Sequence, residues 1–234
     1  DVISVGSQPY RINSISDQFY KEVEGETFDL NIFFGGASIV NRAGTGTPTT
    51  VLAPPLITFA DLPIYDGDPD NWLPKVASWS NPFAGVNVFR STSDTAYTLN
   101  TVIPVRGYLG ITTSTFTEGP VNVFDTESEL NIRLYNGFLS STDELGLLND
   151  VNLIAVETSD DNWELVGFQN VELISSGNYR LTKLIRGRHG TEDNIVASLS
   201  SDARVVVINS ALTPLNFTTS DIGTSYFYRY GPVT

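Results

Sequence analysis

The one histidine of the chain, His189, stands close to Arg186 and Arg188 in the string NYRLTKLIRGRHGTEDN, where Gly187 and Gly190 bracket Arg188 and His189. Glycine adopts φ > 0 at no steric cost, so two of them this close predict a tight loop presenting the cations at defined angles. A guanidinium held in that way grips a carboxylate or phosphate through paired hydrogen bonds, which makes Arg186, Arg188 and His189 candidate binding residues. The competing structural reading pairs the two arginines with Glu192, Asp193 or a neighbouring subunit, so that the ions fasten the loop. Thr191 is placed to cap a short helical turn beginning near Glu192.

Two further groups have the right residue types for binding. Trp72 and Trp79 flank LPKVAS. With Tyr65 and Phe83 they would form an aromatic platform for a sugar ring, or alternatively plug a sheet edge or an interface. Asp66, Asp68 and Asp70 alternate in YDGDPDNW like the opening of a calcium loop. That pattern breaks at once, with no glycine after the third Asp and Ala77 where a bidentate Glu belongs, so a solvated acidic turn is expected and no metal site.

Catalytic chemistry finds no frame. No Gly-x-Ser-x-Gly elbow accompanies the histidine, and no cofactor motif stands out, so neither enzymatic activity nor a cofactor is expected. A cell-wall glycoside hydrolase needs only two facing carboxylates and stays open as the least favoured reading. With 27 acidic residues against 13 Lys and Arg, the formal charge of -14 repels phosphate backbones and anionic membranes, so nucleic acid is excluded as a partner. No apolar run approaches the roughly 18 to 20 residues that cross a bilayer, and no membrane insertion is expected. Cysteine is absent, which removes disulfides and thiolate metal sites. Methionine is absent too and the sequence opens at Asp1, which predicts a piece of a longer polypeptide.

The elements that must position these residues are strands. Residues 1–34 carry two β-like patches, PYRINSIS and ETFDLNIFF, the first with a slip between Ile12 and Ile15 that predicts a turn or bulge; residues 35–55, rich in Gly, Thr and Pro, read as a linker. From residue 56 to 234, short alternating runs separated by turn residues predict an all-β, mainly antiparallel sandwich or barrel-like domain. Its one helix is expected around Ser141 to Asn149, N-capped by Ser141 or Thr142 with Glu144 in the first turn. In WELVGFQNVELI the alternation slips around Gly167, which predicts a β-bulge or tight hairpin there.

LIRGRHGTE resembles the LRGQRGTE signature near the C-terminus of the tail-tip, or hub, proteins of gene transfer agents and related siphophages, with His189 in place of the usual second Arg. Other landmarks follow in the family's order: YRINSI, FADLP at Phe59 to Pro63, VFRS at Val88 to Ser91, LNIRLYNGFLSS at Leu130 to Ser141, WELVGFQNVELI, and YRYGP at Tyr228 to Pro232. The resemblance implies a virion structural protein of the tail tip, made in the host cytoplasm, with other phage tail proteins as partners and a trimeric homo-oligomer as its state. It implies a part in tail assembly and host attachment, the host side being a surface glycan or receptor. A carbohydrate- or receptor-binding module is the alternative.

Overall fold

A computed structural model describes residues 2–5, 8–17, 21–27, 52–66, 71–159 and 162–233. It divides into two units, Asp1–Thr50 and Val51–Thr234. The first unit holds β1 (Val2–Val5), β2 (Gln8–Asp17) and β3 (Lys21–Thr27) as an antiparallel sheet in that order. The pairing of β2 with β3 slips between Ile12 and Ser14, where the sequence predicts the irregularity. The second β-like patch, ETFDLNIFF at 26–34, begins within the end of β3, and the rest of it, with nearly all of the 35–55 linker, lies outside the described residues.

The second unit is built on a closed barrel. Its strands are β4 (Leu56–Ala60), β5 (Lys75–Trp79), β6 (Val86–Ser91), β7 (Thr98–Ile103), β8 (Leu109–Thr112), β9 (Phe116–Thr117) and β10 (Phe124–Leu134), then, after helix α1 (Glu144–Leu148), β11 (Leu153–Ser159), β12 (Asn162–Ser175), β13 (Asn178–Ile185), β14 (Ser198–Leu199), β15 (Arg204–Val207), β16 (Thr213–Pro214) and β17 (Phe227–Pro232). The barrel runs β10-β13-β12-β11-β15-β8 and closes where β8 pairs with β10, every pairing antiparallel. Two three-stranded sheets, β16-β5-β4 and β17-β6-β7, and the small pair β14-β9 complete it. The all-β, barrel-like expectation is met.

Alternation sorts the apolar residues into layers, because successive strand side chains point to opposite faces. Leu130, Ile132, Ile154, Val166, Phe168, Leu181 and Val205 form the cluster on one face of the barrel strands. The residues between them, Ala155, Trp163, Leu165 and Val206, pack instead with Ala60, Leu62 and Ala77 of the β4-β5 side. Val76, one residue along from Ala77, joins Val86, Val88, Ile103 and Leu215 in a third cluster. β5 is thus buried on both faces between two apolar layers. Each Val, Leu, Ile or Phe among them contributes roughly 1.5–3 kcal/mol on burial.

Gly167 is not a bulge. β12 stays in register from Leu153↔Gly167 on one side and Gly167↔Ile185 on the other. A Cβ at Gly167 would lie 2.9 Å from Cδ1 of Leu147, so the missing side chain is the seat for the fully buried Leu147 of α1. The helix lies where expected, but Asp143 caps it, accepting from the Gly146 amide at 2.7 Å. Ser141 instead accepts the Val171 amide, and the Thr142 amide donates to the Gln169 carbonyl, so both are tied to β12.

Candidate functional site

The basic loop begins where β13 ends. β10 and β13 slip past each other between Asp125↔Leu184 and Glu129↔Thr182, and Lys183 takes a left-handed φ of 54°. Asp125 closes the resulting bulge by accepting the Glu127 and Ser128 amides at 3.0 and 2.9 Å. Burial alone would raise its pKa, but the hydrogen bonds from Ser128 and Glu127 and the nearby charge of Arg186 outweigh it and hold the carboxyl below the usual range.

Arg186 leaves the strand pointing inward and is 1% exposed, as is Glu164 of β12. Its Nε and Nη2 donate to the two carboxylate oxygens of Glu164, the second at 2.8 Å. Nη1 donates to the Thr117 carbonyl at 2.8 Å, and the guanidinium carbon sits 3.8 Å from the centroid of the Phe116 ring. A planar fork against a carboxylate, with a third donor on a carbonyl and the π-face also engaged, is the geometry that makes a buried ion pair tolerable. Arg186 is therefore an internal fastener of the barrel wall, closed to any ligand.

The next turn is fixed just as fully. Gly187 and Gly190 have φ of 65° and 82°, and His189 shares the left-handed region at 57°. Arg188 donates to Oδ1 of Asp150 from Nε at 2.9 Å and Nη2 at 2.7 Å, and from Nη2 to the Leu148 carbonyl at 3.1 Å. His189 donates from Nε2 to Oδ2 of the same Asp150 at 2.8 Å. Asp150 follows α1 with φ of 57°, a conformation Asp tolerates better than most residues. Thr191 does not cap the following turn with its side chain. Its hydroxyl donates to the Arg188 carbonyl at 2.8 Å and accepts the Leu165 amide at 2.9 Å, while the Asn194 carboxamide donates to the Trp163 carbonyl at 2.8 Å.

The ion-pair partners are thus Glu164 and Asp150, in place of the expected Glu192, Asp193 or a second subunit. A charge inside the apolar run WELVGF was a readable signal for Glu164, since a carboxylate in a strand buried on both faces demands a cation. Asp150 carried none. The aromatic platform separates: Tyr65 and Trp79 pack on the barrel-side core, Trp79 with its ring 5.6 Å from Tyr135, and Phe83 belongs to the outer cluster. Trp72 is 37% exposed. Of the three alternating aspartates, Asp66 accepts from Asn71, and Asp68 and Asp70 lie outside the described residues. Among the described residues no three His, Cys, Asp or Glu side chains gather as a metal cluster.

Residues 107–206 match the model of the Rcc01698-like, C-terminal family. The stretch takes in all six barrel strands, the last to within one residue, together with α1 and the whole basic corner. The β16-β5-β4 and β17-β6-β7 sheets fall outside it. No curated protein matches the chain.

Proposed function

We propose that this chain is a structural part of a bacteriophage or gene transfer agent tail tip, acting in tail assembly and host-surface attachment rather than as an enzyme. The observation that carries the reading is the signature corner. Arg186, which the tail-tip signature shares, and Arg188, which stands in the same loop, bond to Glu164, Asp150 and main-chain carbonyls of the same chain, which is the arrangement of a framework. The exposed apolar side chains Phe138, Leu145, Leu148 and Val151, 50–73% accessible, lie along one stretch around α1 and offer area that a neighbouring tail protein would cover.

The test is made on tailed particles purified from cells that encode the chain. The chain should be found in the tail-tip density, and Arg188→Ala should lower particle yield more than adsorption per particle. Absence from the particle refutes the reading. Normal assembly with abolished adsorption makes the corner a receptor contact instead.

A further inference from the structure

Beside the basic corner, exposed apolar side chains stand on either side of Lys183. One group belongs to α1, where Leu147 turns to the barrel over Gly167 while Glu144, Leu145 and Leu148 share a flank as i, i+3 and i+4 neighbours. The Glu144 carboxylate shows which way that flank looks, because it pairs with Lys183 of β13, whose ammonium stands 5.2 Å from the centroid of the Phe124 ring. Phe124 lies opposite Ile185 in the sheet, and Ile185 opposite Gly167. Directly opposed residues point to one face, so the ring and the helix lie on the same side of the sheet. Phe124, Leu145 and Leu148 are 40%, 66% and 50% exposed. The segment leading to Phe124 carries the exposed Val121 and Val123 and is fixed to the corner by the Asn122 amide, which donates to the Arg186 carbonyl at 3.2 Å.

An apolar patch with a polar rim marks an interaction surface, and here the rim selects the partner. The cations beside it are spent internally: Lys183 on Glu144, Arg188 on Asp150 and Arg186 on Glu164. Carboxylates remain in excess. Glu127, in the bulge that follows Phe124, and Glu192 and Asp193, which follow the corner, are exposed and have no ion-pair partner among the described residues. Glu192 is held at the corner, its Cα 2.9 Å from where a Cβ of Gly187 would lie. A second copy of the chain would bring the same carboxylates against these, and the formal charge of -14 opposes that approach at longer range as well.

We propose that this face, centred on Phe124, Leu145 and Leu148, docks a basic amphipathic helix of another protein. Leu145 and Leu148 form a ridge of the spacing that packs between the ridges of a second helix, while Lys or Arg flanking the partner's apolar stripe would meet the unpaired carboxylates. Every residue named lies within the stretch matched by the family model, so docking belongs to the barrel and not to the outer three-stranded sheets. The proposal deepens the tail-tip reading by naming the chemistry of the neighbour, and rests on it for where that neighbour is met.

The full chain is titrated with a synthetic helical peptide carrying leucines along one stripe and lysines elsewhere, with its scrambled form, and with a counterpart in which every lysine is glutamate, each followed by amide chemical shifts. The first should saturate with a dissociation constant on the order of 100 μM at low salt, weaken as salt rises, and move the amides of 121–127 and 144–149. Leu148→Ser and Phe124→Ser should each weaken it at least tenfold, whereas Leu99→Ser, at a comparably exposed leucine of β7, should not. Glu127→Gln, Glu192→Gln and Asp193→Asn together should weaken it several-fold and flatten the salt dependence without moving the thermal midpoint. The proposal is overturned if the basic peptide fails to bind, if the scrambled or acidic peptide binds as tightly, if the shifts fall elsewhere, if both serine variants bind normally, or if the chain alone dimerises through this face. In tailed particles, a photoreactive side chain in place of Leu148 should cross-link to a segment rich in Lys or Arg; an acidic segment or a second copy there would also overturn it. Absence of the chain from particles removes the tail-tip reading alone, and the titration still decides the docking.

Discussion

Removing the Arg186 side chain should be among the most damaging single changes in the second unit. Arg186→Met leaves Glu164, 1% exposed, without its cation, and also strips the Thr117 carbonyl of its donor and the Phe116 face of its charge. Breaking one side of a buried pair costs about 3–5 kcal/mol. At roughly 2–4 °C per kcal/mol for a unit of this size, the thermal midpoint should fall by about 6–20 °C. The informative comparison is the double variant Arg186→Met with Glu164→Leu. Replacing both charges with apolar groups of similar volume removes the desolvation cost along with the attraction, so it should return to within about 2 kcal/mol of the parent. Urea unfolding followed by circular dichroism gives both numbers. A single variant within about 1 kcal/mol of the parent would refute the buried-pair reading, and a double variant as unstable as the single would show that shape, not charge, sets the cost.

Gly187→Ala should destabilise more than Gly190→Ala, because its Cβ would sit 2.9 Å from the Glu192 Cα while Gly190 opens onto free space; the shared left-handed φ costs each about 1–2 kcal/mol, and equal losses would contradict this. Gly167→Val should displace Leu147 and cost about 1–3 kcal/mol, visible as loss of amide protection in α1, and unchanged protection would count against the docking described. Asp221 receives hydrogen bonds from the Tyr226 hydroxyl and the Thr218 amide and feels the Arg90 charge, which lower its pKa from the ordinary 3.8 to about 2. Its folded value lies below its unfolded one, so the stability it contributes is present above pH 3.8 and is lost as pH falls toward 2. A carboxyl NMR titration should place it near 2, and a midpoint near 3.8 would remove the claim.

Barrel strands were open to reading both where they alternate, as in β10, and where a continuous apolar run is buried on both faces, as in β11, β12 and β15. β10 and β13 come from the runs LNIRLYN and NYRLTKLI, whose period of two follows from one face meeting the core, while β17, from SYFYRYG, sets Tyr228 against the third cluster and leaves Phe227 and Tyr230 exposed. β5 escaped notice because Lys75, Val76, Ala77 and Ser78 are all buried, which erases the period. At Gly167 a break in the apolar pattern looks the same in sequence whether the backbone bulges or a helix fills the gap, and only Leu147 arriving from another element distinguishes them. The corner was legible as an ordered loop from its glycines, but its partners were not, since Asp150 and Glu164 lie 38 and 22 residues away from their arginines.

Closure of the barrel also decides how copies of this chain can meet. Each barrel strand has a partner on both sides over part of its length, which closes the wall, but β12 beyond Phe168 and β10 before Asn131 run on with β13 as their one strand partner. Among the described residues of the second unit, further unpaired borders belong to β4, β16, β7 and β17 of the outer three-stranded sheets and to β9 and β14 of the small pair, and β16 is only two residues long and ends in a proline. Molecules crowded side by side therefore meet a closed wall over most of the barrel, and edge-to-edge pairing between copies is confined to those borders, among them the β12 overhang with its exposed Leu173 and Ile174.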